Sequence, residues 1–266
     1  MAWWGKILGG AFGYLLGGPL GAALGAAMGH NFDRGMAGNF EPVREGPAGH
    51  HEGVQGAFFT ATFAVMGHLG KIDGRVTHSE IDVARRVMAR MDLNPMQVEA
   101  AKRLFDQGKS PDFPLQAVLA QLRSAIGQRR NLLFMFIEIQ LTLACADGAI
   151  NPAERRLLLE ICNRLGVPER VYRELEAMAN AQARHEERAE SRGAASLDLE
   201  QAYALLNVQP GASDAEVKKS YRRLMSRHHP DKLVANGLPE EMITIATEKT
   251  REIRAAYEKI REARGF

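Results

Sequence analysis

The chain has 266 residues, enough for one or two globular domains. Its 34 lysines and arginines against 32 aspartates and glutamates leave a net charge of +2, which argues against the strongly basic character of a general nucleic-acid binder. Cys145 and Cys162 both fall in apolar helical patterns and read as buried thiols; nothing else suggests an oxidising compartment.

Residues 7–28 carry no charged side chain, and a helix of that length would span about 33 Å, enough to cross a bilayer core. Trp3 and Trp4 precede it, where interfacial aromatics sit, and Lys6 marks one end. The run is long for the apolar core of a secretory signal, whose charged leader is nearly absent here, so it reads as an uncleaved anchor. Gly5, Gly9, Gly13, Gly17, Gly21, Gly25 and Gly29 recur every four residues. In water a stripe of helical glycines is costly, but in lipid it lets two helix backbones approach closely. The segment is expected to pair with a second copy through Gly9, Gly13, Gly17, Gly21 and Gly25, with Pro19 kinking it. Residues 30–52, rich in Gly, Pro and His, read as a juxtamembrane linker, with a solvated role for His30, His50 and His51 rather than a metal tract.

Residues 53–182 carry apolar runs at helical spacing separated by short turns, which predicts seven helices. Residues 132–137 are apolar nearly all round and predict a central buried helix. A repeat lies within this region. Asp73-Gly74 and Asp147-Gly148 each end an apolar helix, and each is followed by a cap, Thr77 or Asn151, with Glu80 or Glu154 three positions on. That is a capping box twice over, with Pro152 at a first helical position. The paired carboxylates resemble a calcium loop only superficially, because Arg75-Val76 and Ala149-Ile150 stand where ligands would be. No cofactor and no metal is expected. Residues 183–197 read as a flexible or partly helical tether.

Residues 198–266 predict a helical hairpin. Leu199, Ala202, Tyr203 and Leu206 give a short first helix, and Asn207 is tolerant of a left-handed turn. Ser213 and Glu216 cap a second helix with a buried stripe of Val217, Tyr221 and Leu224. Lys218, Lys219, Arg222, Arg223 and Arg227 are left for its exposed faces. Pro230 must stop the helix, placing His229-Pro230-Asp231 on an exposed turn. Ala246, Ile253, Ala256, Tyr257 and Ile260 give the third helix its buried face. The basic stripe is one helix long and lacks interleaved aromatics, so no nucleic acid is expected as a partner.

His229-Pro230-Asp231, with Tyr203-Ala204-Leu205-Leu206, Tyr221-Arg222-Arg223-Leu224 and Ile253-Arg254-Ala255-Ala256-Tyr257 in order around it, resembles the J domain of DnaJ-like co-chaperones. The segment from Lys232 to Glu241 is longer than the usual loop, and Thr250 stands where relatives often carry Phe. The Asp-Gly repeat resembles the TerB-like helical domain known in membrane-anchored J proteins of the DjlA type. Together these imply an all-α chain: a single transmembrane helix over 1–29, a linker over 30–52, a TerB-like domain over 53–182, a linker over 183–197 and a J domain over 198–266. The resemblance implies no catalytic residue and a DnaK-type chaperone as partner, bound through His229, Pro230, Asp231, Lys218, Lys219, Arg222, Arg223 and Arg227. It also implies a bacterial inner-membrane location, with a short periplasmic N-terminus and cytoplasmic C-terminal domains. The rival reading is a membrane scaffold or stress sensor whose main module is the TerB-like domain.

Overall fold

The structure, a computed structural model, describes residues 47–266 apart from residues 75–76, 92, 147, 149, 193–196 and 240–241. The anchor and its glycine stripe, Gly9 to Gly25, lie outside the described residues. All regular structure among the described residues is helical.

Seven helices build the middle of the chain: α1 (Pro47–Leu69), α2 (His78–Arg90), α3 (Pro95–Gly108), α4 (Leu115–Ile126), α5 (Arg130–Ala144), α6 (Pro152–Leu165) and α7 (Glu169–Arg192). α1 begins at Pro47, inside the stretch read as linker. Its polar opening, His50-His51-Glu52-Gly53, hides the helix from a search for apolar period. From Val54 onward it is buried on nearly every side, with Phe58, Phe59, Phe63 and Met66 inside. It crosses α3 backbone to backbone: a Cβ on Gly67 would lie 1.9 Å from the Phe105 carbonyl oxygen, and one on Gly108 1.9 Å from that of Ala64. α5 is the second buried helix, as its sequence predicts, with Leu132, Phe136 and Ile137 in the core. Where these two helices meet, Gln140 donates to the Thr62 carbonyl at 3.2 Å, and Phe58 meets Phe136 edge to face.

Both capping boxes form. Thr77 and Asn151 accept from the Glu80 and Glu154 amides, and each glutamate accepts from its cap's amide, at 2.7 and 2.9 Å. Gly74 and Gly148 take positive φ, as a tight turn before each cap requires. Cys145 and Cys162 are buried free thiols, both pushed up to about 12 by burial.

The C-terminal part comprises α8 (Leu199–Leu205), α9 (Asp214–His228), α10 (Pro230–Ala235) and α11 (Ile243–Arg264). α8, α9 and α11 share a core of Ala202, Tyr203, Leu206, Val217, Leu224, Ile253, Ala256 and Ile260. Asn207, at φ +50°, makes the expected left-handed turn after α8. Arg264 ties the far end of α11 to the α8–α9 connection. It donates to the Tyr203 hydroxyl and to the Pro210 and Ala212 carbonyls, each at 2.6 Å, and pairs with Asp214 at 3.1 Å.

The two parts are docked. Met178 of α7 belongs to the C-terminal core. In return Leu233, Leu238, Met242 and Ala246, from α10, the α10–α11 connection and α11, are fully buried in the apolar cluster of the middle helices. α7 runs on helically to Arg192, inside the stretch read as a flexible or partly helical tether, and the long segment after Asp231 packs on the middle helices.

Candidate functional site

α9 is started by its capping box. Ser213 accepts from the Glu216 amide at 3.3 Å, and Glu216 accepts from the Ser213 amide at 2.7 Å. The Ser213 hydroxyl also donates to the Glu216 carboxylate at 2.8 Å, and this bond, with that from the Ser213 amide, holds the carboxyl below the usual carboxylate range. Spacings of three and four bury Val217, Ser220, Leu224 and His228. Of the two polar side chains in that stripe, Ser220 is satisfied: its Oγ donates to the Leu206 carbonyl at 2.6 Å. Tyr221 stacks on Tyr257 at 4.1 Å, and Lys218 lies over the Phe266 ring at 4.5 Å. Lys218, Lys219 and Arg222 remain exposed.

The helix ends where Pro230 forces it to. His229 has φ −58° and ψ 120°, outside the helical basin, and closes α9 while opening α10 with Pro230 in its first turn. His229-Pro230-Asp231 is thus a corner between two helices rather than an open turn. The side chain of His229 is 46% exposed and that of Asp231 90% exposed, with Nδ1 and Oδ2 3.9 Å apart. Burial of Leu233 and the Leu233 amide bond to the His229 carbonyl, at 3.1 Å, fix the corner from beneath. Asp231 is thus an exposed carboxylate on a helix corner, at the end of a helix that exposes Lys218, Lys219, Arg222 and Arg223.

One predicted cation is misplaced by sequence reasoning. Arg227 is not on an exposed face: its side chain is only 9% exposed, its guanidinium lies 4.6 Å from the Phe134 ring centroid, and it is 3.9 Å from Glu174. Arg223 stays partly exposed but is also engaged, donating to Glu174 at 2.8 Å. Beside them His228 is buried, its Nε2 3.4 Å from Glu138 Oε1. That approach is not an ion pair. Burial holds His228 well below its usual value, with Lys249 and Arg227 adding to the effect, and burial pushes Glu138 up to about 7. Around this seam Gln182 donates to Glu252 at 3.2 Å, Arg90 pairs with Glu248 at 2.5 Å, and Asn131 donates to the Ser226 carbonyl at 3.5 Å.

Sequence reasoning gave Glu138 and Glu174 no role and read Phe134 only as part of a buried helix. The available signal was Glu138 itself, a lone carboxylate in a strongly apolar helix. Among the described residues no group of three or more His, Cys, Asp or Glu side chains is placed to hold a metal ion. No helix among them is long and apolar enough to cross a membrane.

Comparisons with known proteins agree with this arrangement. Residues 1–39 match the family model of the co-chaperone DjlA transmembrane domain, residues 59–177 that of the tellurite resistance protein TerB, and residues 201–264 that of the DnaJ domain. The chain is 45% identical over 217 residues to the co-chaperone protein DjlA of Coxiella burnetii. It is 41% identical over 226 residues to that of Vibrio parahaemolyticus and 41% identical over 212 residues to that of Shewanella oneidensis. Each alignment covers 80% of this chain and 80% of the relative. No solved structure matches the chain. With a DjlA-type anchor segment, TerB-type middle helices and a DnaJ domain in this order, the chain belongs to the DjlA family of J-domain co-chaperones.

Proposed function

We propose that this co-chaperone recruits a DnaK-type chaperone to a membrane and stimulates its ATP hydrolysis through the His229-Pro230-Asp231 corner and the basic face of α9. The observation that carries the reading is the corner itself, where a 90% exposed carboxylate stands on a helix junction fixed by buried Leu233. Lys218, Lys219 and Arg222 steer an acidic partner surface toward it. Asp231 accepts a charge-assisted bond from a partner cation, His229 touches the partner beside it, and Pro230 sets their spacing. Arg223 and Arg227 join this face to the extent that they are released from the middle helices. The complex favours the partner conformation that hydrolyses ATP. Nothing in this role requires catalytic chemistry from the chain itself.

The anchor crosses the bacterial inner membrane once, with the short N-terminus periplasmic and the J domain in the cytoplasm, where DnaK-type chaperones and ATP are found. Gly9, Gly13, Gly17, Gly21 and Gly25 form a homodimer face in lipid. Replacing Gly17 and Gly21 by leucine is expected to lower crosslinked dimer in membranes, and an undiminished yield counts against the glycine face.

Steady-state chaperone ATPase measured with the full chain in lipid nanodiscs tests the central claim. Wild type is expected to raise turnover and His229→Gln to abolish the increase. Equal turnover with the two proteins overturns the reading.

A further inference from the structure

The basic helix divides into two halves with different surroundings. Lys218, Lys219 and Arg222 face solvent without an ion pair to the middle helices, while the last two cations of the helix are engaged by them: Arg223, still 39% exposed, and Arg227, 9% exposed. Glu174 of α7 takes both, at 2.8 and 3.9 Å, and Phe134 of α5 stacks under the second. An acidic partner surface would offer the same cations the same kind of group.

The seam holding them is stable but incompletely satisfied. Leu233, Leu238 and Met242 drive it by apolar burial. Yet Glu138 Oε1, Arg227 Nη1, His228 Nε2 and Glu252 Oε2 are buried there without a hydrogen-bond partner among the described residues. Among the described residues the only other buried side-chain nitrogens and oxygens without a hydrogen-bond partner are Gln107 Oε1 and Gln140 Oε1. Separation of the domains would return each to water, so the polar half of the seam opposes docking while the apolar half favours it.

We propose that the TerB-type domain is a built-in competitor for the J domain: docked, it withholds Arg223 and Arg227 from the chaperone, and the full basic face forms only when the domains part. This rests on the chaperone-binding reading above. In the docked state the tripeptide and three cations stay available, so the partner can make a weak first encounter. Release of Arg223 and Arg227 then strengthens it. The device sets the strength of recruitment by the state of the middle domain.

The test uses the full chain in nanodiscs and two readouts. The first is the concentration giving half-maximal stimulation of chaperone ATPase. Glu174→Ala, which removes the carboxylate that engages Arg223 and neighbours Arg227, and Leu238→Glu, which disrupts docking away from the basic helix, are each expected to lower it, by about threefold for the first and up to about tenfold for the second, which releases both arginines. Bridging Asn131→Cys to Ser226→Cys with a short bismaleimide is expected to raise it, against the same variant treated with a monofunctional maleimide. The buried native thiols are protected from both reagents. The second readout needs no chaperone: the rate at which Ser226→Cys is labelled should rise in Leu238→Glu. Faster labelling with unchanged stimulation overturns the competition, as does a bridged protein as active as its control. If neither wild type nor any variant stimulates the ATPase, the chaperone reading fails, while the labelling rates still report whether the domains part.

Discussion

The two halves of α9 share a composition and differ in fate. Lys218, Lys219 and Arg222 stand in water, whereas Arg227 and His228, less than three turns further on, are enclosed by α5 and α7. Nothing local separates them: both halves are basic and helical, and both project from a stripe that buries Val217 and Leu224. Burial of the second half is decided by residues far away in sequence, Phe134, Glu138 and Glu174. A charge run on a helix is therefore a statement about potential, and its accessibility belongs to the rest of the chain.

The sharpest way to break the comparison is through the core beneath both halves. Leu224→Ala, in the C-terminal core, is expected to cost about 2–5 kcal/mol, measured by urea unfolding, and to loosen both halves together. A smaller change separates them. Arg227→Ala removes a nearly buried guanidinium from beside Glu138 and Glu174 and its packing on Phe134, and should cost about 1–3 kcal/mol. Lys219→Ala, at the exposed end, should stay within about 0.5 kcal/mol. Equal losses at the two sites would erase the distinction.

The gentlest probe is pH. Glu138 faces Arg227, Lys249, Glu252 and His228, and docked it titrates near 7, above its ordinary 4.5. Its raised value means that the docked form takes up a proton first, so docking strengthens as pH falls through 7. His228 acts in the opposite sense. Docked it stays neutral well below its ordinary 6.5, so below 6.5 the parted form takes up the proton and the two effects cancel. Docking, followed by Ser226→Cys labelling, is expected to rise from pH 8 to about 6.5 and level off down to about 4.5. Below that the carboxyl is protonated in both forms and docking weakens. Glu138→Gln should remove the rise between pH 8 and 6.5 and little else.

Much of this fold was legible in the sequence because local chemistry dictates it. Thr77 with Glu80, Asn151 with Glu154, and Ser213 with Glu216 announce helix starts that form as read. Asn207 announces a left-handed turn, and Pro230 a helix end. The start of α1 was missed because its first turns carry histidine and glycine instead of an apolar stripe. The docked seam was missed for a related reason. Leu233, Leu238 and Met242 follow no helical or strand period, so the extra length of their segment was visible while its purpose was not. Arg227 could not be told from Lys219, since periodicity assigns a face and says nothing of what covers it.

The exchange of side chains between the two parts also bears on how the chain is made. α5 and α7 are synthesised before residues 233–246, so a chain not yet completed carries an uncovered apolar seat for Leu233, Leu238, Met242 and Ala246. Met178 is likewise without the core it belongs to. A nascent or truncated chain ending near Arg192 presents this surface to its surroundings, and only the last quarter of the protein closes it. In this sense the J domain is also the middle domain's own lid, fitted at the end of synthesis.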